Sequence, residues 1–219
     1  MFNDDTKRKL AHILNGSSIE GTADNCTAAR NYLCAGFSTG KTVKKNFEGQ
    51  LIIKKEQEHC LKEFAQGYNL WVNQLPSHYL TRGGESQVYL EESGTHVIKT
   101  NDAVYYATWL EYFNSVMLHN LFFPDTAYNF LGFIKKADVL YAVVKQPFII
   151  ADGQARLQDI RSFLEYNGFE NTKRQDYYHK EYGLILEDMH DENVIINTEK
   201  LFFIDTVFYI AANNGSTSD

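Results

Sequence analysis

Proline is scarce in this sequence: Pro76, Pro124 and Pro147 are the only three, and the first 75 residues have none. A long opening stretch is thus free of the residue that most firmly interrupts helices. Cysteine is equally sparse. Cys26, Cys34 and Cys60 are odd in number and lack metal-ligand spacing, and no leader-type segment opens the chain, so the expectation is reduced cytoplasmic thiols rather than a disulfide framework. No apolar run approaches the ~20 residues of a membrane helix, which argues against a membrane partner. Positive charge is also short, with 21 Lys and Arg against 28 Asp and Glu. The net charge of −7 provides no basic face for nucleic acid.

What the chain does have is apolar mass. Its 219 residues are 44% hydrophobic and include 15 Phe and 14 Tyr, enough for a core in one large or two small domains. Helical periodicity runs through Lys7 to Leu14, Ala23 to Ala35 and Lys54 to Trp71, with Thr22 or Asp24 available to cap the second. Only Leu51-Ile52-Ile53 carries a strand signal there. Residues 1–75 therefore read as a helical N-terminal extension.

Within that extension, Ala35 to Thr42 fits a loose Walker A string ending in Gly40-Lys41-Thr42. A P-loop needs a strand before the glycines and a helix after them. Here the preceding residues look helical and Val43 to Glu48 has no clear helix face, so the glycines are expected to end a helix and turn the chain.

The chemistry concentrates in Leu184 to Asp205. Two apolar runs, Val194 to Ile196 and Leu201 to Ile204, flank Asn197-Thr198-Glu199-Lys200 and read as a short antiparallel hairpin. Asp188 and Asn193 precede its first strand and Asp205 ends its second, so three oxygen-bearing side chains converge. Mg²⁺ takes one or two carboxylates plus substrate phosphates, and a further carboxylate can accept a hydroxyl proton. A solvated charged turn is the plainer reading of Glu187 to Asn193, and the two buried-looking strands that follow argue against it. A hydrolase metal pair at His190-Asp191 lacks other suitably spaced histidines.

Asp188-x-His190-x-x-Asn193, followed by an apolar strand and Asp205, resembles the D-x-H-x-x-N…I-D pattern of aminoglycoside phosphotransferases and the D-x-x-x-x-N…D-F-G spacing of protein kinases. The whole segment is similar to a kinase-like domain of polyvalent proteins of phages and conjugative elements. The resemblance implies that Asp188 positions or deprotonates the acceptor hydroxyl and that Asn193 and Asp205 hold Mg²⁺.

It also assigns roles upstream. Two strands, Leu80 to Leu90 and His96 to Lys99, carry the glycine-bearing Gly83-Gly84-Glu85-Ser86, which would lie over the phosphates of ATP. Val88 would pack on the base and Lys99 would grip the α/β-phosphates. Against G-x-G-x-x-G-x-V only Gly83 and Val88 are in register. A helix is expected from Asp102 to Phe123, capped by Asn101 or Asp102, with Glu111 in mid-helix to pair with Lys99. Strands at Phe130 to Ile134 and Val139 to Val144 lead to a hinge whose backbone near Gln146 and Phe148 would bind adenine. A helix at Leu157 to Tyr166 follows, and Gln175 to Tyr182 gives no clear signal.

The sequence departs from the family in three places. Thr206-Val207 stands where D-F-G has Phe-Gly, Leu186 stands where H-R-D has histidine, and fourteen residues follow Asp205. The resulting expectation is an α+β, protein-kinase-like, two-lobed fold: helical extension 1–75, N-lobe with hinge 76–149, and a reduced C-lobe 150–219. Its function would be ATP/Mg-dependent phosphotransfer to a hydroxyl on a small molecule or protein, bound in a cleft between the lobes. The alternative is a pseudokinase acting as a nucleotide-binding or protein-interaction module.

Overall fold

The computed structural model describes residues 2–21, 24–37, 47–84 and 86–211, without the side chains of residues 47 and 48. It is a mixed α+β structure that divides into two units, Met1–Phe148 and Ile149–Asp219.

The first unit opens with three helices, α1 (Asp4–Leu14), α2 (Asn25–Gly36) and α3 (Phe47–Gly67). The Asn3 side chain accepts the Thr6 N–H, and Asp24 accepts the Thr27 N–H, so two of the helices start on side-chain caps. Leu51-Ile52-Ile53 belongs to α3 and not to a strand: the helix is 21 residues long, and a three-residue apolar run does not outweigh it. The Walker-like Gly40-Lys41-Thr42 lies outside the described residues, and the element before it is the helix α2.

Strands β1 (His78–Arg82), β2 (Ser86–Leu90), β3 (His96–Asn101), β4 (Asn129–Lys136) and β5 (Val139–Pro147) form an antiparallel sheet in the order β1-β2-β3-β5-β4. Helix α4 (Trp109–Phe122) lies between β3 and β4 in sequence. It begins seven residues later than expected, and the reason is local. The Asn101 side chain accepts the Ala103 N–H at 2.6 Å and Asp102 accepts the Val104 N–H at 3.1 Å, so both residues close turns onto the chain that follows them. Ala103 has φ +56°, and Thr108 supplies the helix cap.

The nearly all-round apolar sequence of α4 has a matching environment. Phe113 meets Phe130 and Phe133 of β4 at 5.3 and 6.3 Å between ring centroids, and Trp109 also meets Phe133. Other faces of α4 are taken by the N-terminal helices: the Leu110 N–H donates to Gln57 of α3, and the Asn114 side chain accepts from Arg30 of α2. Arg30 is fully buried and also donates to the Ser17, His12 and Ile13 carbonyls, so its charge is met by oxygen dipoles. Described residues of α1, α2 and α3 are therefore part of this unit's core. One further tie crosses to β4, where the Phe133 N–H donates to the Leu70 carbonyl and the Val72 N–H to the Phe133 carbonyl, both at 2.8 Å.

The second unit contains β6 (Gly153–Gln154), α5 (Leu157–Tyr166), β7 (Phe169–Lys173), β8 (Asp176–His179), β9 (Leu184–Glu187), β10 (Val194–Asn197), β11 (Lys200–Phe203) and β12 (Val207–Ile210). Its strands make two sheets, β11-β10-β6 and β12-β9-β8-β7. The stretch that gave no clear signal contains β8: Tyr177 and His179 are buried while Tyr178 between them is not, the alternation of a half-buried strand. The expected hairpin is present as β10 and β11, with Asn197 opposite Lys200 and Thr198 and Glu199 both at positive φ in the two-residue turn. Apolar packing comes from Ile160 and Leu164 of α5 with Phe169, Leu186, Met189, Val194, Phe203 and Phe208.

Candidate functional site

The candidate residues fall into one set in each unit. In the first, Lys99 sits on β3 directly opposite Val88 of β2 and Val144 of β5. Direct cross-strand partners share a face, so the lysine rises between two valines and is 6% exposed. Its Nζ lies 5.5 Å from the centre of the Tyr128 ring, a cation–π contact. Asn120 holds the backbone of Tyr128 at both ends, donating to its carbonyl at 2.8 Å and accepting its N–H at 2.7 Å.

His119 stacks on the other partner in this group, its ring 4.4 Å from that of Tyr128. Burial pushes its pKa down to about 3; the hydrogen bond to the Thr126 carbonyl opposes the shift and the nearby charge of Lys99 adds to it. The folded protein therefore binds fewer protons at His119 than the unfolded chain between about pH 3 and the ordinary 6.5, and stability falls as pH drops through that window. His119→Gln retains a donor for Thr126 without titrating. Denaturant unfolding at pH 7 and pH 4.5 is expected to show a smaller acid loss for this variant than for wild type.

Glu111 departs from its expected place. Because α4 starts at Trp109, this residue falls in the first turn, where Thr108 accepts its N–H at 3.2 Å and its carboxylate accepts the Ala107 N–H at 2.9 Å. That is a capping box, Thr108-x-x-Glu111. Burial raises the Glu111 pKa, against the lowering effect of the two backbone hydrogen bonds and of Lys54. Its carboxylate is committed to the helix start, and the charge of Lys54 acts on it.

The glycine turn is closed by the Gly83 N–H donating to the Ser86 carbonyl at 2.8 Å. Gly84 faces the Tyr105 hydroxyl so closely that an added Cβ would lie 2.5 Å from it. Ser86 is a buried β2 residue whose hydroxyl accepts from Asn101 at 3.2 Å, so it anchors the base of the loop. Gln146 is likewise internal: it pairs with Val97 in the sheet and its amide donates to the Thr126 carbonyl at 2.8 Å. The Phe148 N–H is taken by the Thr95 carbonyl at 2.9 Å.

In the second unit the six residues from Asp188 to Asn193 link β9 to β10. Asp188 has φ +64°, a left-handed conformation that costs a non-glycine residue roughly 1 kcal/mol and persists only where neighbours enforce it. The enforcing contacts are plain. The β7–β8 turn accepts the Asp188 N–H on Asp176 Oδ1 at 3.2 Å and the Met189 N–H on the Gln175 carbonyl at 3.0 Å. Asn193 Nδ2 donates to the Asp188 carbonyl at 2.8 Å and lies 3.3 Å from Asp188 Oδ2. Met189 is fully buried and pins the loop from below.

The backbone leading into Asp205 is tied to Asn193. The Ile204 N–H donates to the Asn193 carbonyl at 3.0 Å, so the residue after Ile204 follows directly on the Asn193 tether. Nδ2 of Asn193 is engaged by Asp188, so Oδ1 is the atom of that amide with the chemistry to face a cation. Two oxygen donors suit a hard cation that also takes phosphate oxygens. No group of three or more His, Cys, Asp or Glu side chains able to hold a metal occurs among the described residues, so the donor set is not a complete protein cage. Acidic groups gather around it. Glu187 has a raised pKa, chiefly from burial and then from the charges of Asp176 and Asp188.

Sequence reading passed over Asp176, Gln175 and Tyr128. A period-2 signal at Tyr177 and His179 marks the strand that carries Asp176, whereas nothing local ties Tyr128 to a lysine 29 positions earlier.

The family model described as "Serine/Threonine/Tyrosine Kinase found in polyvalent proteins" matches residues 54–212, well over half of the chain. No curated protein matches the chain, and no solved structure does.

Proposed function

This chain belongs to the serine/threonine/tyrosine kinases found in polyvalent proteins, and on that premise we propose that it transfers the γ-phosphate of ATP to a hydroxyl, with Mg²⁺ bound. What supports this reading is the family match together with the Asp188–Asn193 tether: Asn193 Nδ2 holds the Asp188 carbonyl and lies 3.3 Å from its carboxylate, and the Asn193 carbonyl accepts from Ile204, the residue before Asp205.

Asp188 orients the acceptor hydroxyl and takes its proton as the new P–O bond forms and the β–γ bridging bond breaks, releasing ADP. Asn193 Oδ1 and the Asp205 carboxylate would hold Mg²⁺, which would supply neutralising charge on the phosphate oxygens. Lys99 contacts the α/β-phosphates; its seat between Val88 and Val144, against the Tyr128 ring, restricts its reach before any ligand binds. Val88 packs against the base, and Gly83 and Gly84 let the β1–β2 turn approach phosphate closely. Glu111 contributes by fixing the start of α4.

For the acceptor we infer a cationic or hydroxyl-rich molecule, because Asp176, Glu187, Asp191 and Glu192 surround Asp188 with negative charge. No described helix is long and apolar enough to cross a membrane. Calorimetry with Mg-ATP tests the metal assignment. Asp205→Ala is expected to weaken binding roughly tenfold or more, the factor that ~1.4 kcal/mol represents. Unchanged Mg-ATP affinity in that variant would remove Asp205 from the metal site.

A further inference from the structure

Resting on the phosphotransfer reading, we propose that Tyr105 is a positioning residue for the glycine turn, held against that turn by Lys54 of α3. In that reading the β1–β2 turn lies over the ATP phosphates, and whatever fixes its height decides how closely it approaches them. The contact with Tyr105 is direct. A Cβ added at Gly84 would lie 2.5 Å from the Tyr105 hydroxyl oxygen and 3.1 and 3.2 Å from its ring atoms Cε2 and Cζ. Glycine is needed here for a reason inside the fold, because a backbone without a side chain admits the ring. Tyr105 is nevertheless 59% exposed, so burial of its own surface does not bring it there.

The segment that carries the ring is braced at both ends and across its middle. It is the connection from β3 to α4. At one end the Asn101 side chain accepts the Ala103 N–H, and at the other the Glu111 carboxylate accepts the Ala107 N–H. Across the middle, Lys54 Nζ donates to the carbonyls of Ala103 and Tyr106 at 2.5 and 2.9 Å. Those two carbonyls bracket Val104 and Tyr105, both of them exposed. Hydrogen bonds from an ammonium are the stronger kind, and one cation on two carbonyls fixes the span between them. The Tyr106 hydroxyl adds an anchor on the Ser115 hydroxyl of α4 at 3.1 Å.

Position therefore passes from α3 to the turn in three steps: Lys54 fixes the span from Ala103 to Tyr106, the span fixes Tyr105, and the ring limits where Gly84 can go. A surface tyrosine on an untied loop would swing away with that loop. This one rests on a span tied to a helix, and through it α3 reaches the turn that closes on the nucleotide.

The test compares wild type, Tyr105→Ala, Tyr105→Phe, Gly84→Ala and Lys54→Met in the full chain, by steady-state ATP turnover with Mg²⁺ and by amide hydrogen exchange. Tyr105→Ala is expected to raise KM for ATP roughly tenfold and to change kcat less, the loss that a displaced binding group brings. Tyr105→Phe keeps the ring carbons that face Gly84 and is expected to recover most of that loss. Gly84→Ala pushes the ring off from the other side, so it should raise KM as Tyr105→Ala does, and the double variant should lose little more. Lys54→Met removes both carbonyl bonds and is expected to raise KM in the same direction. A wild-type KM in Tyr105→Ala would overturn the proposal, and so would a lower one, which would mean that the ring competes with nucleotide. Fully additive losses in the double variant overturn it as well, and a wild-type KM in Lys54→Met removes the brace from it. Exchange of the Gly83 N–H, which is bonded to the Ser86 carbonyl, gives a second reading that needs no nucleotide. It is expected to be faster in Tyr105→Ala than in wild type at an unchanged unfolding temperature, and equal exchange overturns the proposal. Absence of turnover in wild type would instead strike the phosphotransfer reading, and the exchange rates would still decide whether Tyr105 holds the turn.

Discussion

Asp188→Ala is expected to lower phosphotransfer by about a thousandfold while leaving Mg-ATP affinity and fold intact. The size follows from what a positioned proton acceptor contributes, typically 10²–10⁴ in rate. The separation from binding follows from the proposed roles: Asn193 Oδ1 and Asp205 are the proposed metal ligands, and Asn193 is also held through its backbone, its N–H on the His190 carbonyl and its carbonyl on the Ile204 N–H. Removing the Asp188 carboxylate takes away only the longest of the contacts made by Asn193 Nδ2, because the 2.8 Å bond is to the backbone carbonyl that alanine keeps. Alanine must still adopt φ +64°, which costs roughly 1 kcal/mol, too little to unfold a domain of ordinary stability. The check is calorimetric affinity beside turnover. Loss of affinity in step with rate would mean that Asp188 holds nucleotide or metal instead of acting on the acceptor.

The largest expected effect on stability lies far from that loop. Gly132→Ala is expected to destabilise the first unit by roughly 3 kcal/mol, because two separate penalties meet at one Cβ. Gly132 has φ +138°, a region side chains rarely enter, and an added Cβ would lie 2.0 Å from the Leu70 carbonyl oxygen. That oxygen cannot easily retreat, since it accepts the Phe133 N–H and belongs to the strap after α3 that runs along β4. Gly67→Ala is the control: it lies at the end of α3 with nothing within 4 Å of an added Cβ. Thermal unfolding should separate the two variants by about 10 °C, given 2–4 °C per kcal/mol in chains of this size. Equal melting temperatures would show that the strap does not constrain β4.

How far these features were legible in the sequence depends on how local their causes are. The hairpin of β10 and β11 was readable because apolar runs and a polar four-residue connection are adjacent in the chain, and α5 carries its apolar period within its own ten residues. The kinase family was legible for the same reason, the spacing of Asp188, Asn193 and Asp205 being contained in one stretch. Helix α4 was misjudged at its start. Asn101 and Asp102 look like caps by residue type, yet each bonds only two residues ahead and closes a turn, and the true cap is Thr108. Glu111 falls in the first turn with that boundary. The buttress at Gln175 and Asp176 and the ring under Lys99 depend on distant segments meeting, which no local pattern encodes.

The central claim is that this chain moves a phosphoryl group, and γ-labelled ATP tests it most directly. Wild type and Asp188→Ala are each incubated with Mg²⁺ and the label, against a panel of cationic and hydroxyl-rich small molecules and separately against whole-cell lysate. Label on an acceptor in the wild-type reaction, absent with Asp188→Ala and absent when EDTA removes the metal, is the expected result. Label confined to lysate proteins would move the acceptor from small molecule to protein and leave the transfer itself standing. Wild type that binds Mg-ATP but labels nothing and releases no ADP would contradict the account.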